Sequence, residues 1–282
     1  MKIDIIVVLI AVVMAGCSED IELTLSSTAP RLVIDGHITD SETPYNYVSI
    51  SMSTDYFSNC ESPAVSGARV VVSDGASSYL FEESETAGRY VAPKGFYGQH
   101  GMTYTLRVSG LDVDGDGETE TYTASEPMPP TYDIDSVQCY KNSFSDFYQL
   151  CLFAHEDTDT RNFYMFGYSY NDSLITDTFT KFASTDDSYF TSDYCWGATI
   201  AYISDGDLRG GKKVKAGDTV TMHAMSVNEG FYDYVSDISD IASGSTAYSS
   251  APANAVGNIN NGEVLGYFAV FATVSVECVV RD

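Results

Sequence analysis

Apolar residues recur at every second position along much of this chain, and this spacing restricts the fold more than any other feature. Val48, Ile50 and Met52 alternate with serines, and a similar alternation of large and polar residues links Tyr104 to Val108. Successive side chains of a β-strand point to opposite faces, so the pattern predicts strands with one buried face. Glycine, proline, aspartate and serine separate the short runs, which indicates an all-β protein.

The predicted strands fall into two groups, which indicate two β-sandwich domains. Seven short runs between residues 30 and 127 fit an immunoglobulin-like or transthyretin-like sandwich. Pro127, Pro129 and Pro130 then interrupt the pattern, because proline has no N–H to donate and restricts the residue before it. We therefore predict a boundary here and a second, β-rich domain over residues 131–282.

The second group contains strands, one helix and a weakly patterned stretch. Residues 163–170 and 219–227 are rich in aromatic and β-branched side chains, as strands prefer. Residues 171–211 lack a clear period, and we expect long loops there. Helical spacing then predicts one short amphipathic helix. Its apolar positions are Phe231, Tyr234, Val235 and Ile238.

The N-terminus has the form of a secretory signal. Lys2 precedes an apolar run from Ile5 to Ala15, and small residues follow, which predicts a signal peptide over residues 1–16. The sequence Met-Ala-Gly-Cys that ends at Cys17 resembles a bacterial lipobox, so we expect an acylated Cys17 and a tether over residues 17–29. An ordinary signal peptide with a coincidental cysteine is the alternative.

The net charge argues against one class of partner, and the cysteines bear on disulfide and metal sites. The formal charge of −26 at pH 7 would repel phosphates, so we expect no nucleic-acid partner. Cys139 and Cys151 flank a polar loop and could form a disulfide across a hairpin, or they could be two buried thiols. The chain has no C-x-x-C spacing, which argues against a structural zinc site.

An acidic loop is the sharpest local motif, and calcium is the one metal that it suggests. Calcium prefers hard oxygen ligands, which alternating carboxylates in a tight loop can supply. The loop opens like an EF-hand, but Thr123 stands where that motif needs a bidentate glutamate. A solvated hairpin tip, with no cofactor, is the commoner meaning of such a sequence. The candidate ligands are Asp112, Asp114, Asp116 and Glu118.

A second acidic run, from Glu156 to Asp159, follows His155, and we expect it to cap a hairpin in solvent.

Aromatic residues also gather in the weakly patterned stretch. Exposed aromatic side chains can stack on sugars or anchor a protein partner, whereas buried ones would fill the end of a sandwich. These residues are Tyr189, Phe190, Tyr194 and Trp196.

Catalytic motifs are absent from the sequence. No H-E-x-x-H zinc motif and no G-x-S-x-G elbow occurs, so we assign no catalytic residue and expect no enzyme. A hydrolase that uses two of the 40 acidic residues is the remaining alternative.

Four segments, together with the lipobox, resemble the Bacteroidetes outer-membrane lipoproteins classed as domain of unknown function 4249. The resemblance implies an outer-membrane lipoprotein, often encoded beside a TonB-dependent transporter, and it supplies no catalytic residues. The insertion Asp112–Glu118 and the cysteines depart from the family pattern. The segments are Leu32–Asp40, Val65–Asp74, Gly98–Leu106 with Tyr122–Ala124, and Ser250–Ile259 with Leu265–Phe268.

These observations together predict a non-enzymatic lipoprotein that is anchored in the outer membrane. Glu19 and Asp20 follow the lipidated cysteine closely, a position that in such lipoproteins favours export to the cell surface. We expect an accessory or binding component of a TonB-dependent transporter. A stand-alone adhesin that binds an extracellular glycan or peptide is the alternative.

Overall fold

A computed structural model describes residues 29–42, 46–54, 60–157, 159–178, 181–189, 192–243, 255–260 and 263–282. The predicted signal peptide, Cys17, Phe190 and all but the last residue of the predicted tether lie outside these ranges. The described residues form fifteen strands and one α-helix, so the prediction of an all-β fold is confirmed.

The first half of the chain contains seven strands, each at a position that the alternating pattern predicts. The strands alternate between buried and more exposed residues along much of their length, as half-buried strands do. They are β1 (Leu32–Thr39), β2 (Tyr47–Met52), β3 (Arg69–Ser73), β4 (Ser78–Glu83), β5 (Arg89–Val91), β6 (Thr103–Leu111) and β7 (Glu120–Pro127).

The second half contributes eight strands and the helix. The helix, α1 (Glu229–Ser243), covers the four positions predicted from helical spacing. The strands are β8 (Ile134–Lys141), β9 (Tyr148–His155), β10 (Phe163–Tyr170), β11 (Ser173–Leu174), β12 (Ala183–Asp186), β13 (Tyr194–Ile203), β14 (Thr219–Val227) and β15 (Phe268–Arg281).

One long strand, β15, joins the two halves. Its first residues pair in parallel with β1, with Gly36 opposite Phe268. Its following residues pair antiparallel with β14, and its end pairs with β8. The central sheet therefore runs from β11 through β10, β14, β15, β1 and β2 to β5 and β4.

Two hydrophobic cores lie on the same face of this central sheet. Phe268, Val270 and Ala272 of β15 belong to the first core, which the strands β3, β6 and β7 close from the other side. Val274 and Val276, further along the same face, pack against the second core, beneath β8, β9 and β13. The C-terminal strand thus contributes to both sandwiches, and the predicted boundary near Pro127 stays a prediction.

The opposite face of the central sheet is covered by α1. Phe231 and Val235 of the helix are buried there with Met165 of β10 and Met225 of β14. All eight residues of β10 are consequently buried, because the second core covers one side of the strand and α1, together with Thr176 and Phe182, covers the other.

A close backbone approach fixes the start of β15. Gly266 has φ +101°, and a Cβ atom there would lie 2.0 Å from the carbonyl oxygen of Ile34. A Cβ on Gly257 would lie 2.0 Å from the carbonyl oxygen of Gly266. Asn258 accepts a hydrogen bond from the Phe268 N–H and donates one to the Phe268 carbonyl. These contacts of Gly257, Asn258 and Gly266 give a structural role to the last of the four segments that resemble the 4249 family.

The weakly patterned stretch differs from its prediction. It contains β11, β12 and the ten-residue strand β13, where we expected long loops. Two bulges, at Trp196/Ala198 and at Thr199/Ala201, break the alternation of β13. A bulge moves an extra residue into one strand and shifts which side chains face inward, so the period of two disappears from the sequence.

Candidate binding site

A cleft of about 800 Å³ opens where the two halves meet, and we call it the junction cleft. The linker from Pro127 to Asp133, the β9–β10 connection and the start of α1 form its walls. The proline-rich sequence keeps the linker extended, so both sandwiches contribute to one concave surface. A cleft of this size between packed units is the usual setting for a ligand site.

The carboxylate of Glu156 lies in the wall of the junction cleft. Glu156 is only 6 % exposed to solvent. The hydroxyl of Tyr132 donates to one carboxylate oxygen at 2.8 Å, and that of Tyr164 donates to the other at 2.7 Å. The two rings stack with centroids 4.0 Å apart. The expectation that Glu156 caps a hairpin in solvent is therefore wrong, because two distant tyrosines enclose it.

Burial sets the electrostatics of Glu156. Desolvation raises the pKa of its carboxyl group above the ordinary value of 4.5, and the tyrosine hydrogen bonds oppose this shift only in part. The same burial raises the pKa values of Tyr132 and Tyr164, which stay neutral donors. No cationic side chain within the described ranges pairs with Glu156.

Arg161 lines the same cleft, but acidic neighbours already neutralise it. Its guanidinium donates to Asp186 at 2.9 Å and to Glu229 at 2.7 Å. The guanidinium also lies over the ring of Phe163, 4.8 Å from its centroid. Arg161 therefore ties the start of α1 to β12 and leaves the cleft acidic.

A row of aromatic side chains leads from the junction cleft to the surface. His155 lines the cleft, and its ring centroid is 4.9 Å from that of Tyr194. The Tyr194 ring in turn lies 4.5 Å from Trp196, which is 80 % exposed. We call His155, Tyr194 and Trp196 the aromatic row. Two of the four predicted contact aromatics thus lie together at the surface.

Local backbone geometry explains why Trp196 points outward. Gly197, the next residue, has φ +82° within the first bulge of β13, and a Cβ there would lie 3.1 Å from the Phe153 ring. Bulges of this kind re-aim side chains next to binding sites. Tyr189 ends a short 3₁₀ turn, Asp187–Tyr189, close in sequence to the row. Phe190 lies outside the described residues.

A second cavity, of about 400 Å³, lies on the other face of the central sheet, where Leu174, Thr176 and Phe182 form part of its wall. His223 faces it with both ring nitrogens engaged, 2.9 Å from the Ser275 hydroxyl and 2.8 Å from the Ser169 hydroxyl. Burial lowers the pKa of His223, so the imidazole is neutral at pH 7. The three residues lie on a flat sheet face, which differs from the strand-to-helix elbow of a serine hydrolase.

The acidic loop gathers carboxylates, with one change from the prediction. Oxygens of Asp112, Asp114, Asp116 and Glu120 lie within 4.8 Å of one another. Glu118 is not in this group, since pairing with β6 places Glu120 opposite Leu111, next to Asp112. Asp112 also accepts hydrogen bonds from the N–H groups of Gly115 and Gly117, which hold the loop in a tight turn. Calcium binding stays a prediction.

Of the two alternatives for Cys139 and Cys151, the structure contains the two buried thiols and not the possible disulfide. Both thiols are free and buried. Strand pairing sets Cys139 opposite Leu150 and Gln138 opposite Cys151, so the two sulfurs point to opposite faces of the sheet. Burial raises the pKa of the Cys139 thiol to about 12, which makes it unreactive.

Comparison with known families agrees with the resemblance seen in the sequence. The family model described as Domain of unknown function (DUF4249) matches residues 18–277. The chain belongs to the DUF4249 family. No curated protein matches this DUF4249 chain. None of its described helices is long and apolar enough to cross a membrane.

Sequence reasoning missed two parts of the site in this DUF4249 protein. The burial of Glu156 depends on Tyr132 of the linker and Tyr164 of β10, and no local pattern in the sequence pairs either tyrosine with Glu156. The position of His155 beside Tyr194 follows from the pairing of β9 with β13, and β13 was not predicted.

Proposed function

We propose that this DUF4249 protein is a non-enzymatic binding lipoprotein, anchored through Cys17 to the outer membrane at the cell surface and associated with a TonB-dependent transporter. The lipobox ending at Cys17 and the acidic residues Glu19 and Asp20 support the anchor and its location. Three acyl chains, or even two, on one cysteine would provide stable attachment.

The exposure of Trp196 is the observation that carries the binding function. A large aromatic side chain that is 80 % exposed stabilises no core, yet this one lies against Tyr194, which in turn contacts His155 of the cleft wall. Aromatic residues in such positions are typical anchors of ligands and partner proteins. Rigid sandwiches that present a site in loops and bulges suit recognition.

Purification of the native protein tests the anchor and the partner. We expect intact-mass spectrometry to find Cys17 as the first residue with acyl chains, and we expect a transporter to co-purify in mild detergent. A Cys17→Ser variant should lose both the lipid and the membrane fraction. An unmodified Cys17 in the native product would contradict the anchor, and purification without any transporter after cross-linking would contradict the association.

The aromatic row also favours a second candidate, a stand-alone adhesin for an extracellular glycan or peptide. Trp196 and Tyr194 present ring faces on which a sugar ring or an apolar side chain can lie. Retention of the full-length protein on a glycan or peptide array, lost in Trp196→Ala, would support it. Phe144→Ala is the matched control, because Phe144 is 98 % exposed on the surface but does not belong to the row.

A further inference from the structure

The junction cleft carries a charge imbalance that points to the kind of ligand it takes. Asp133, Glu156, Asp157 and Glu229 line it, whereas Arg161 is the lining residue with a permanent positive charge. Arg161 is already bound to Asp186 and Glu229. Glu229 is thus paired, but Asp133, Glu156 and Asp157 form no ion pair within the described ranges, so a cationic group that enters the cleft meets three carboxylates without a cationic partner.

Glu156 is the carboxylate of the cleft whose position is held by hydrogen bonds from two buried side chains. Its two oxygens accept hydrogen bonds only from neutral tyrosine hydroxyls among the described residues, which leaves further lone pairs of a desolvated carboxylate in the cleft wall. A charge-assisted hydrogen bond to an ammonium or guanidinium group is stronger than one to a neutral donor. Low exposure to water strengthens that interaction further.

The aromatic row extends this charged position into a longer site. His155 belongs to the cleft wall, and Tyr194 and Trp196 continue from it across the surface. A ligand can thus place a cation beside Glu156 while its neighbouring groups lie over Trp196. A neutral glycan would use the row but would gain nothing from the carboxylates.

We propose that the junction cleft and the aromatic row bind one extended basic segment of a polypeptide, with a lysine or arginine side chain directed at Glu156. This inference rests on the binding function proposed above and names its ligand class. The overall charge of −26 would speed the approach of such a segment, and the cleft would select it.

Trp196 is the only tryptophan in the chain, so its fluorescence reports directly on the row. The full-length protein in mild detergent is titrated with pentalysine, and with pentaglutamate as the control peptide. We expect pentalysine alone to change the Trp196 emission. We also expect Glu156→Gln to weaken binding at least about tenfold, the size of one charge-assisted hydrogen bond. The glutamine keeps the shape of the side chain, because its carbonyl oxygen accepts from one tyrosine hydroxyl and its NH2 group can donate to the other.

Matched variants separate this site from general attraction to an acidic protein. Glu126→Gln removes another buried carboxylate, held by Tyr267 and Asn258 outside the cleft, and should leave the affinity unchanged. Asp157→Asn alters an exposed carboxylate of the cleft lining and should weaken binding even if Glu156→Gln folds poorly.

Three results would overturn the proposal. One is the absence of any fluorescence or calorimetric response to pentalysine. Another is equal affinity of the wild type, Glu156→Gln and Asp157→Asn, which would mean diffuse electrostatic attraction. The third is binding of amino-sugar oligomers in the absence of peptide binding, which would assign the site to a glycan. Transporter co-purification is measured separately, so its outcome tests the anchor and partner independently of this ligand.

Discussion

Replacing Asn258 by alanine tests whether one side chain fastens the loop before β15 to the sheet. The Asn258 amide pairs with both the N–H and the carbonyl of Phe268, at 2.8 and 2.9 Å, and donates to Glu126 at 3.0 Å. Phe268 is fully buried, so water replaces these partners poorly. The change therefore leaves two backbone groups of the central sheet without their partners.

The expected cost follows from those two groups. A buried polar group that loses its partner costs about 1–3 kcal/mol, and Asn258 itself is half-buried, which favours the lower part of the range. We expect Asn258→Ala to lower the free energy of unfolding by about 3 kcal/mol. For a protein of this size that corresponds to a fall in Tm of roughly 6–12 °C.

Urea unfolding and calorimetry of the full-length protein in detergent measure this loss. Asn260→Ala is the matched control, because Asn260 lies in the same segment but accepts a single exposed hydrogen bond from Thr123. We expect the control to lose no more than about 1 kcal/mol. Equal stabilities of the two variants would refute the reasoning that the Phe268 pairing depends on Asn258.

Three further predictions concern a glycine, a carboxylate and the acidic loop. Gly266→Ala should lower the unfolding free energy by more than about 3 kcal/mol, since the added Cβ would collide with the Ile34 carbonyl. Gly67→Ala should lower it by only about 1 kcal/mol, because Gly67 also has a positive φ but its added Cβ would meet no other atom. Equal losses in urea unfolding would contradict this. The pKa of Glu156 is raised in the folded state, so the stability that its protonated form contributes is complete below pH 4.5 and is lost as pH rises through the raised pKa. Glu156→Gln should therefore gain stability relative to the wild type across that pH range. A stability difference that does not change with pH would disprove this. Millimolar calcium should raise the Tm of the wild type relative to EDTA. Asp112→Asn should abolish this rise, and Glu118→Gln should keep it. An unchanged Tm of the wild type would contradict calcium binding by the acidic loop.

The strands and the helix were predictable because their signals are local. Residues 163–170 form β10 with the predicted bounds, and α1 covers the predicted helical positions. Neither the extent of β13 nor the parallel pairing of β15 with β1 has such a signal. Bulges disrupt the period of β13, and the residues that pair β1 with β15 lie at opposite ends of the chain.

The site was predictable only in part, for the same reason. Tyr194 and Trp196 were candidates because aromatic residues cluster there, but the bulge that follows the exposed Trp196 lies in a strand that the sequence did not predict. Glu156 looked like a solvated acidic residue because its sequence neighbours are polar. Its burial is caused by Tyr132 of the linker and Tyr164 of β10, and no local pattern encodes these contacts.

The pairing of the first strand with the last has a consequence for biogenesis. The N-terminal sandwich lacks Phe268, Val270 and Ala272 until β15 has been synthesised. Contacts between chain ends form late and slowly. A chain exported through a narrow translocation channel, as proposed for this protein, must remain unfolded until it has passed. Because the first core closes only when β15 pairs with β1, the N-terminal sandwich cannot complete its fold while β15 is still in transit.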